Sequence, residues 1–169
     1  MKLPVIRCVL LFIFVLFFSA KELYAQEKKL YNPAADADAE IRAAIRQAAG
    51  SGRHVLIQAG GNWCGWCIEF ARFCNEDAAI RDSLNRHYVW YHLNYSKENT
   101  NAPIFARYGY AQRFGFPVFI ILDGSGNRLH TQNSEYLEDG NKSYDREKVL
   151  SFLGHWTPRA LDPSNYKDR

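Results

Sequence analysis

The chain has 169 residues, 47% hydrophobic and 15% aromatic, which is enough to pack one domain of ordinary size and excludes a wholly disordered chain. Its formal charge of +3 shrinks if residues 1–25 are removed, because Lys2, Arg7, Lys21 and Glu22 go with them and leave 18 basic against 17 acidic residues. So small a balance excludes a nucleic-acid or anionic-membrane binder that works through bulk charge.

The chain opens on a targeting pattern. Lys2 and Arg7 precede the apolar run Val9–Phe18, which has the length of a signal core and is too short to span a bilayer comfortably. Ala20 and Ala25 are candidate cleavage positions, although Phe18 and Leu23 stand three residues before them. Cleavage after Ala25 is the preferred reading, with 1–25 as signal peptide; an uncleaved membrane anchor is the alternative. Cys8 lies within this segment, so the exported chain keeps Cys64, Cys67 and Cys74. One close pair and one lone cysteine fit a redox pair better than the even, dispersed cysteines of a disulfide-stapled domain.

Residues 26–35 read as a flexible lead-in, 36–156 as the folded domain and 157–169 as a tail. In Asp36–Ala49, Ile41, Ala44, Ile45 and Ala48 recur at helical spacing, with acidic residues at the start and Gly50-Ser51-Gly52 at the end. His54–Ala59 is an apolar strand suited to burial on both faces. After a Gly60-Gly61-Asn62 turn, a helix is expected over about Cys64–Phe73, and Asn75 is a plausible cap for a second helical piece ending near Asn85. Tyr88–Tyr95 is a second strand, so strand, helix, strand implies a parallel crossover. Lys97–Thr100 is a polar loop, Pro103–Tyr108 a short helix and Val118–Leu122 a third strand. Asp123-Gly124-Ser125-Gly126-Asn127 turns the chain into a return strand over Arg128–Gln132. Asn133–Lys142 reads as an exposed loop. Asp145–Trp156 closes the domain as a helix carrying Val149, Leu150, Leu153 and Trp156 on one face.

The chemistry concentrates in Trp63-Cys64-Gly65-Trp66-Cys67. Two cysteines three apart at a strand-to-helix junction are neighbours on one helix face, close enough to form and break a disulfide without refolding. The helix N-terminus places backbone N–H groups and partial positive charge beside Cys64, which favours its thiolate. Cys64 is therefore the candidate nucleophile and Cys67 its resolving partner; an inert structural disulfide is the alternative.

Those residues, followed by Gly115-Phe116-Pro117, an apolar strand and a Gly-rich turn, resemble the thioredoxin superfamily over about residues 36–156, including its exported, disulfide-reducing members. The resemblance implies an α/β fold, a central mixed sheet flanked by helices, with the dithiol at the N-terminus of the main helix. It further implies a cis Phe116–Pro117 bond facing Cys64 and backbone pairing of a substrate segment there. Trp63, Gly65, Trp66, Phe116 and Pro117 are then the candidate substrate-binding residues, with Tyr110 and Phe114 as further groove residues. Two positions depart from the family: Gln58 stands where thioredoxins carry a buried aspartate, and His92 where they carry a lysine. The proton of Cys67 is then expected to leave by water, His92 or Glu69, with Gln58 orienting the relay.

The function expected is exported, in a bacterial periplasm: exchange of a Cys64–Cys67 dithiol with protein disulfide or dithiol substrates, in the reducing direction, with electrons from a membrane or exported thiol donor. No cofactor, metal or nucleic acid is expected, and membrane contact only through an uncleaved signal. A thioredoxin-fold peptide-binding or chaperone-like module is the main alternative, favoured by Gln58. A metal carrier is poorly supported, since no second C-x-x-C or paired histidines exist.

Overall fold

The computed structural model describes residues 29–167; the expected signal peptide lies outside them. Along the chain run α1 (Ala37–Ser51), β1 (His54–Gly60), α2 (Gly65–Glu76), α3 (Ala78–His87), β2 (Tyr88–Asn94), α4 (Ala102–Arg107), β3 (Val118–Leu122), β4 (Arg128–Asn133) and α5 (Arg146–His155). The sheet has the order β2-β1-β3-β4, with β1 parallel to β2 and antiparallel to β3. It is the mixed sheet with flanking helices that the motif order implies.

Every residue of β1 is buried, because the strand is paired on both edges and covered on both faces. Successive side chains point to opposite faces. Val55, Ile57 and Ala59 join Val118, Ile120 and Leu122 in a core closed by α1 and α4. Leu56 joins Phe119 and Ile121 on the other face, under Phe70 and Cys74 of α2, Ile80 and Leu84 of α3, and Val149, Phe152 and Leu153 of α5. Gln58 shares the Leu56 face by the same alternation. With His54 it is one of two polar side chains in that row, and it lies against α2 where the cysteines are.

Helix boundaries are set by capping chemistry that the apolar pattern does not carry. Asp36 accepts the Ala39 N–H at 3.0 Å to open α1, and Gly52, at φ 62°, ends it in the left-handed region where glycine has no Cβ penalty. The expected start of α2 at Cys64 moves by one residue, since Cys64 is its cap, and the helix runs on to Glu76. Asn75 therefore lies inside α2, and Asp77 caps α3 through the Ile80 N–H at 3.0 Å. The same carboxylate bonds Arg146 at 2.7 Å, tying α3 to α5. The backbone donor at Ile80, then Arg146, hold the Asp77 carboxyl below the usual carboxylate range. A depressed folded pKa stabilises above the unfolded value and is lost as pH falls through the folded one. Asp77→Asn is thus expected to lower the melting temperature at pH 7 and to approach wild type in acid below about pH 4, which thermal melts across pH would check.

Two other expectations are corrected. Asn133–Lys142 is not wholly an exposed loop: Ser134–Leu137 forms a 3-10 turn with Ser134 and Leu137 buried, and Glu138 bridges to Tyr144. That bridge delivers Tyr144 onto Phe70, with ring centroids 4.9 Å apart. In α5 the buried residues are Val149, Phe152 and Leu153, while Leu150 and Trp156 only border the core. Beyond α5, Pro163–Tyr166 adds one more 3-10 turn within the expected tail.

The stretch expected to be a flexible lead-in contributes a core residue. Tyr31 is fully buried and packs with Cys64 and Cys67. Its backbone is clamped by Asn62, whose Oδ1 accepts the Tyr31 N–H at 3.1 Å and whose Nδ2 donates to the Tyr31 carbonyl at 2.7 Å. Asn99 donates to the Pro33 carbonyl at 3.1 Å and holds the far end. Residues 31–33 are a strap across the site rather than a loose approach to it.

Candidate active site

Cys64 and Cys67 form a disulfide, with Cα atoms 5.2 Å apart. The turn that presents them is made by Gly61, whose carbonyl accepts the Cys64 N–H at 3.0 Å. Cys64 Sγ occupies the capping position of α2 and accepts the Cys67 N–H at 3.2 Å. A sulfur at a helix cap meets unpaired N–H groups and the positive end of the helix dipole, both of which favour thiolate when the bond is open. Cys64 is 5% exposed and Cys67 fully buried, so of the two sulfur-bearing residues only Cys64 keeps any exposed area.

The surroundings divide into an outer rim and a buried interior. Trp63 is 61% exposed, donates its indole N–H to the Tyr95 carbonyl at 2.7 Å and meets Phe116 edge-on at 5.7 Å. Trp66 packs edge-on against Tyr144 at 5.5 Å, and the Tyr144 hydroxyl donates to the Trp66 carbonyl at 3.0 Å. Gly65 is exposed and nothing crowds the space above it. Phe116, half-buried, packs against the cysteine cluster, and its bond to the buried Pro117 is cis. A depression of about 430 Å³ opens beside Trp63, lined by Tyr95, Ser96, Lys97, Glu98 and Thr100. A second, of about 410 Å³, lies beside Gly65, Trp66, Glu69 and Lys142. The dithiol thus sits between two recesses, each walled by a tryptophan. Tyr110 and Phe114 are exposed on the segment before Pro117, with the Arg113 guanidinium over the Phe114 ring at 4.2 Å.

Beneath the cysteines, Gln58 and His92 are paired neighbours on β1 and β2. Gln58 Nε2 donates to the Cys67 carbonyl and to the Tyr31 hydroxyl, both at 2.8 Å. Gln58 Oε1 and His92 Nε2 are buried with no partner among the described residues. Burial pushes the His92 imidazole down to about 4, so it is neutral at working pH. Its ring lies edge-on to Tyr31 at 5.6 Å. Glu69 is turned elsewhere: Arg72 donates to it at 2.8 and 2.9 Å and the Ser143 hydroxyl at 2.6 Å. Those donors, Arg72 first, hold its carboxyl below the ordinary range.

A sequence model described as a thioredoxin-like domain matches residues 41–136, more than half of the chain. The chain belongs to the thioredoxin-like domain family. No curated protein sequence matches it. Among solved structures it is similar to a disulphide isomerase from Xylella fastidiosa Temecula1, at 17% identity and TM-score 0.66, covering 76% of this chain and 96% of that one. It is similar also to the oxidised DsbD C-terminal domain of Neisseria meningitidis, at 15% identity and TM-score 0.51, with 70% and 94% covered. A thioredoxin from Thermus thermophilus aligns at 16% identity and TM-score 0.50, over 75% and 93%. At these identities the likeness establishes the fold. A thioredoxin-like fold carrying a bonded Cys64–Cys67 pair is consistent with a thiol–disulfide oxidoreductase.

Within this thioredoxin-like domain the structure brings Trp63, Cys64, Gly65, Trp66 and Phe116 together, with Cys67 and Pro117 buried. Gln58 and His92 lie beneath it, and Glu69 stands to one side. Tyr31, Asn62, Tyr95 and Tyr144 escaped the sequence reading. Only Leu30-Tyr31, an apolar pair between Lys29 and Asn32, hinted that the lead-in carries a docking residue. Cys74 lies two turns beyond Cys67, buried in the Phe70 core, and burial followed by the Asp77 charge pushes its thiol well up, as suits an inert packing residue. Among the described residues no group of three or more His, Cys, Asp or Glu side chains could hold a metal, and no helix is long and apolar enough to cross a membrane.

Proposed function

We propose that the chain is an exported thiol–disulfide oxidoreductase that reduces protein disulfides, with Cys64 as nucleophile and Cys67 as resolving thiol. The carrying observation is the asymmetry of the pair: Cys64 caps the helix at a nearly closed surface and Cys67 is sealed behind it. Cys64 thiolate attacks a substrate disulfide, the mixed disulfide forms and one substrate thiolate leaves. Cys67 then attacks Cys64 Sγ, the second substrate thiolate departs, and the Cys64–Cys67 bond holds the oxidised state. Trp63, Trp66, Phe116 and Pro117 supply the surface on which an extended substrate segment rests, using main-chain pairing near the bend. Electrons return from a membrane or exported thiol donor, in a bacterial periplasm.

The reducing direction is supported by what flanks Cys64. A strongly oxidising pair needs a reduced form that is heavily stabilised. Here Gly65 and Trp66 carry no charge, and His92 stays neutral. The test is the reduction potential of the mature domain, by equilibration against a thiol buffer and alkylation. Reference values run from about −270 mV for a thioredoxin to about −120 mV for a strong oxidant, a gap of roughly 7 kcal/mol for two electrons. A value in the lower half supports the reductase; one near the upper end reverses the direction.

Gln58 favours a second reading, a peptide-binding module with little turnover, because a buried amide cannot take a proton as a carboxylate does. Client capture and cellular function that survive Cys64→Ala would establish that reading.

A further inference from the structure

Tyr31 is a buried polar group to which the exchange reaction above gives no role. Tyr31 reaches the cysteines from the strap, fully buried, and its hydroxyl oxygen accepts the Gln58 amide N–H at 2.8 Å. Since Gln58 donates in that bond, the tyrosine's own hydrogen is left to point elsewhere. Gly60 shows where. A Cβ there would lie 2.4 Å from Cys67 Sγ and 3.0 Å from the Tyr31 hydroxyl oxygen, so both atoms converge on the space above one backbone carbon. Gly60 needs no unusual backbone angle; its missing side chain leaves a space that the sulfur and the phenol both border. Asn62 fixes the strap from the residue just before Trp63, so the placement of the phenol is tied to the loop that presents the cysteines.

The other titratable groups around Cys67 are already committed. Glu69 on α2 is bound to Arg72 and Ser143. Tyr144, ahead of α5, donates to the Trp66 carbonyl. His92 on β2 is neutral and meets Tyr31 by ring contact. Cys64 is the bonded partner itself. β1 offers Gln58 and the bend before β3 offers Phe116, neither of which titrates.

We propose that Tyr31 is a positioning donor for the resolving step, its Gln58-held hydroxyl donating a hydrogen bond to Cys67 Sγ as the thiolate forms. The proposal rests on the thiol–disulfide reading of the site and names how Cys67 is served without a buried acid. In the mixed disulfide, Cys67 S–H gives its proton to water and the thiolate accepts the Tyr31 O–H. Cys67 Sγ then bonds Cys64 Sγ, the bond from Cys64 to the substrate sulfur breaks, and that sulfur leaves as thiolate to be protonated by water. Tyr31 keeps its proton throughout, and burial holds it in the neutral form.

The test is stopped-flow reaction of the reduced mature protein with 5,5′-dithiobis(2-nitrobenzoate) across pH. A first chromophore is released by Cys64 attack and a second by Cys67 resolution. A hydrogen bond to a charged group is worth about one to two pKa units. Tyr31→Phe should therefore move the alkaline midpoint of the second phase up by that amount and leave the first phase nearly unchanged. A more basic thiolate is also a better nucleophile, so the second phase near neutral pH should fall only about 3- to 10-fold. Incorporating 3-fluorotyrosine at Tyr31 strengthens the donor, keeps the hydroxyl, and should move the midpoint down; it also serves if Tyr31→Phe does not fold. Unchanged midpoints, or both phases slowed equally at every pH, would overturn the proposal. Failure of wild-type protein to release any chromophore would instead overturn the thiol–disulfide reading beneath it.

Discussion

Cys67→Ser is expected to stop the reaction after its first half and leave substrate covalently held on Cys64. The structure separates the sulfurs by exposure only narrowly: Cys64 on the helix cap keeps 5% of its area exposed, and Cys67 behind it keeps none. A serine hydroxyl occupies nearly the same space but is not ionised near neutral pH, so it cannot displace the substrate from Cys64. Turnover of a protein disulfide should drop to background. Non-reducing gels with mass spectrometry should find the trapped species joined through Cys64. Cys64→Ser should abolish turnover and trap nothing. Retention of substantial turnover by Cys67→Ser would mean that the buried cysteine does not resolve the intermediate. Cys74 cannot take its place from the same helix, because it lies two turns away inside the Phe70 core.

Phe70→Ala is expected to give the largest loss of stability of any single truncation near the site. Phe70 is fully buried one turn below Cys67. Its ring centroid is 4.3 Å from Phe119 on β3, 4.9 Å from Tyr144 and 6.3 Å from Trp90 on β2. It therefore joins the cysteine helix to two strands and to the segment before α5. Truncation removes the buried area and leaves a cavity that rigid strands cannot close, a change that costs about 3–5 kcal/mol. Urea unfolding of the oxidised protein should show the midpoint falling with little change in slope. A loss below about 1 kcal/mol would mean that the α2 face collapses readily around the gap. Because the same ring seats the helix that Cys64 caps, the variant should also react more slowly with disulfides at temperatures well below its melting point.

Much of the architecture was legible because it is written in local, periodic signals. The continuous apolar run of β1 marks a strand covered on both faces, and Val118–Leu122 followed by Asp123–Asn127 marks a strand and its turn. The Asp123 carboxylate accepts the Ser125 and Asn127 N–H groups at 2.8 and 2.9 Å, which is the physical content of that turn signal. Boundaries were less legible. Asn75 and Asp77 are both acceptable caps by residue type, and only the geometry of the chain at Asp77 decides between them. The surface of α5 was misjudged for a similar reason: Phe152, rather than Leu150 or Trp156, faces the sheet because Phe119 packs against it at 5.8 Å.

By itself the sequence determined the family, the order of strands and helices, and the pair Cys64–Cys67, because each rests on residues adjacent in the chain. Tertiary structure alone decided what surrounds that pair. Tyr31 is separated from Gln58 by 27 residues and from Asn62 by 31, and Ser143 from Glu69 by 74. No periodicity reports contacts across such spans. They exist because β1 aims Gln58 at α2, the strap crosses the vacant side of Gly60, and a bridge at Glu138 turns Tyr144 inward. The chemistry of the motif is local; its proton environment is assembled by packing.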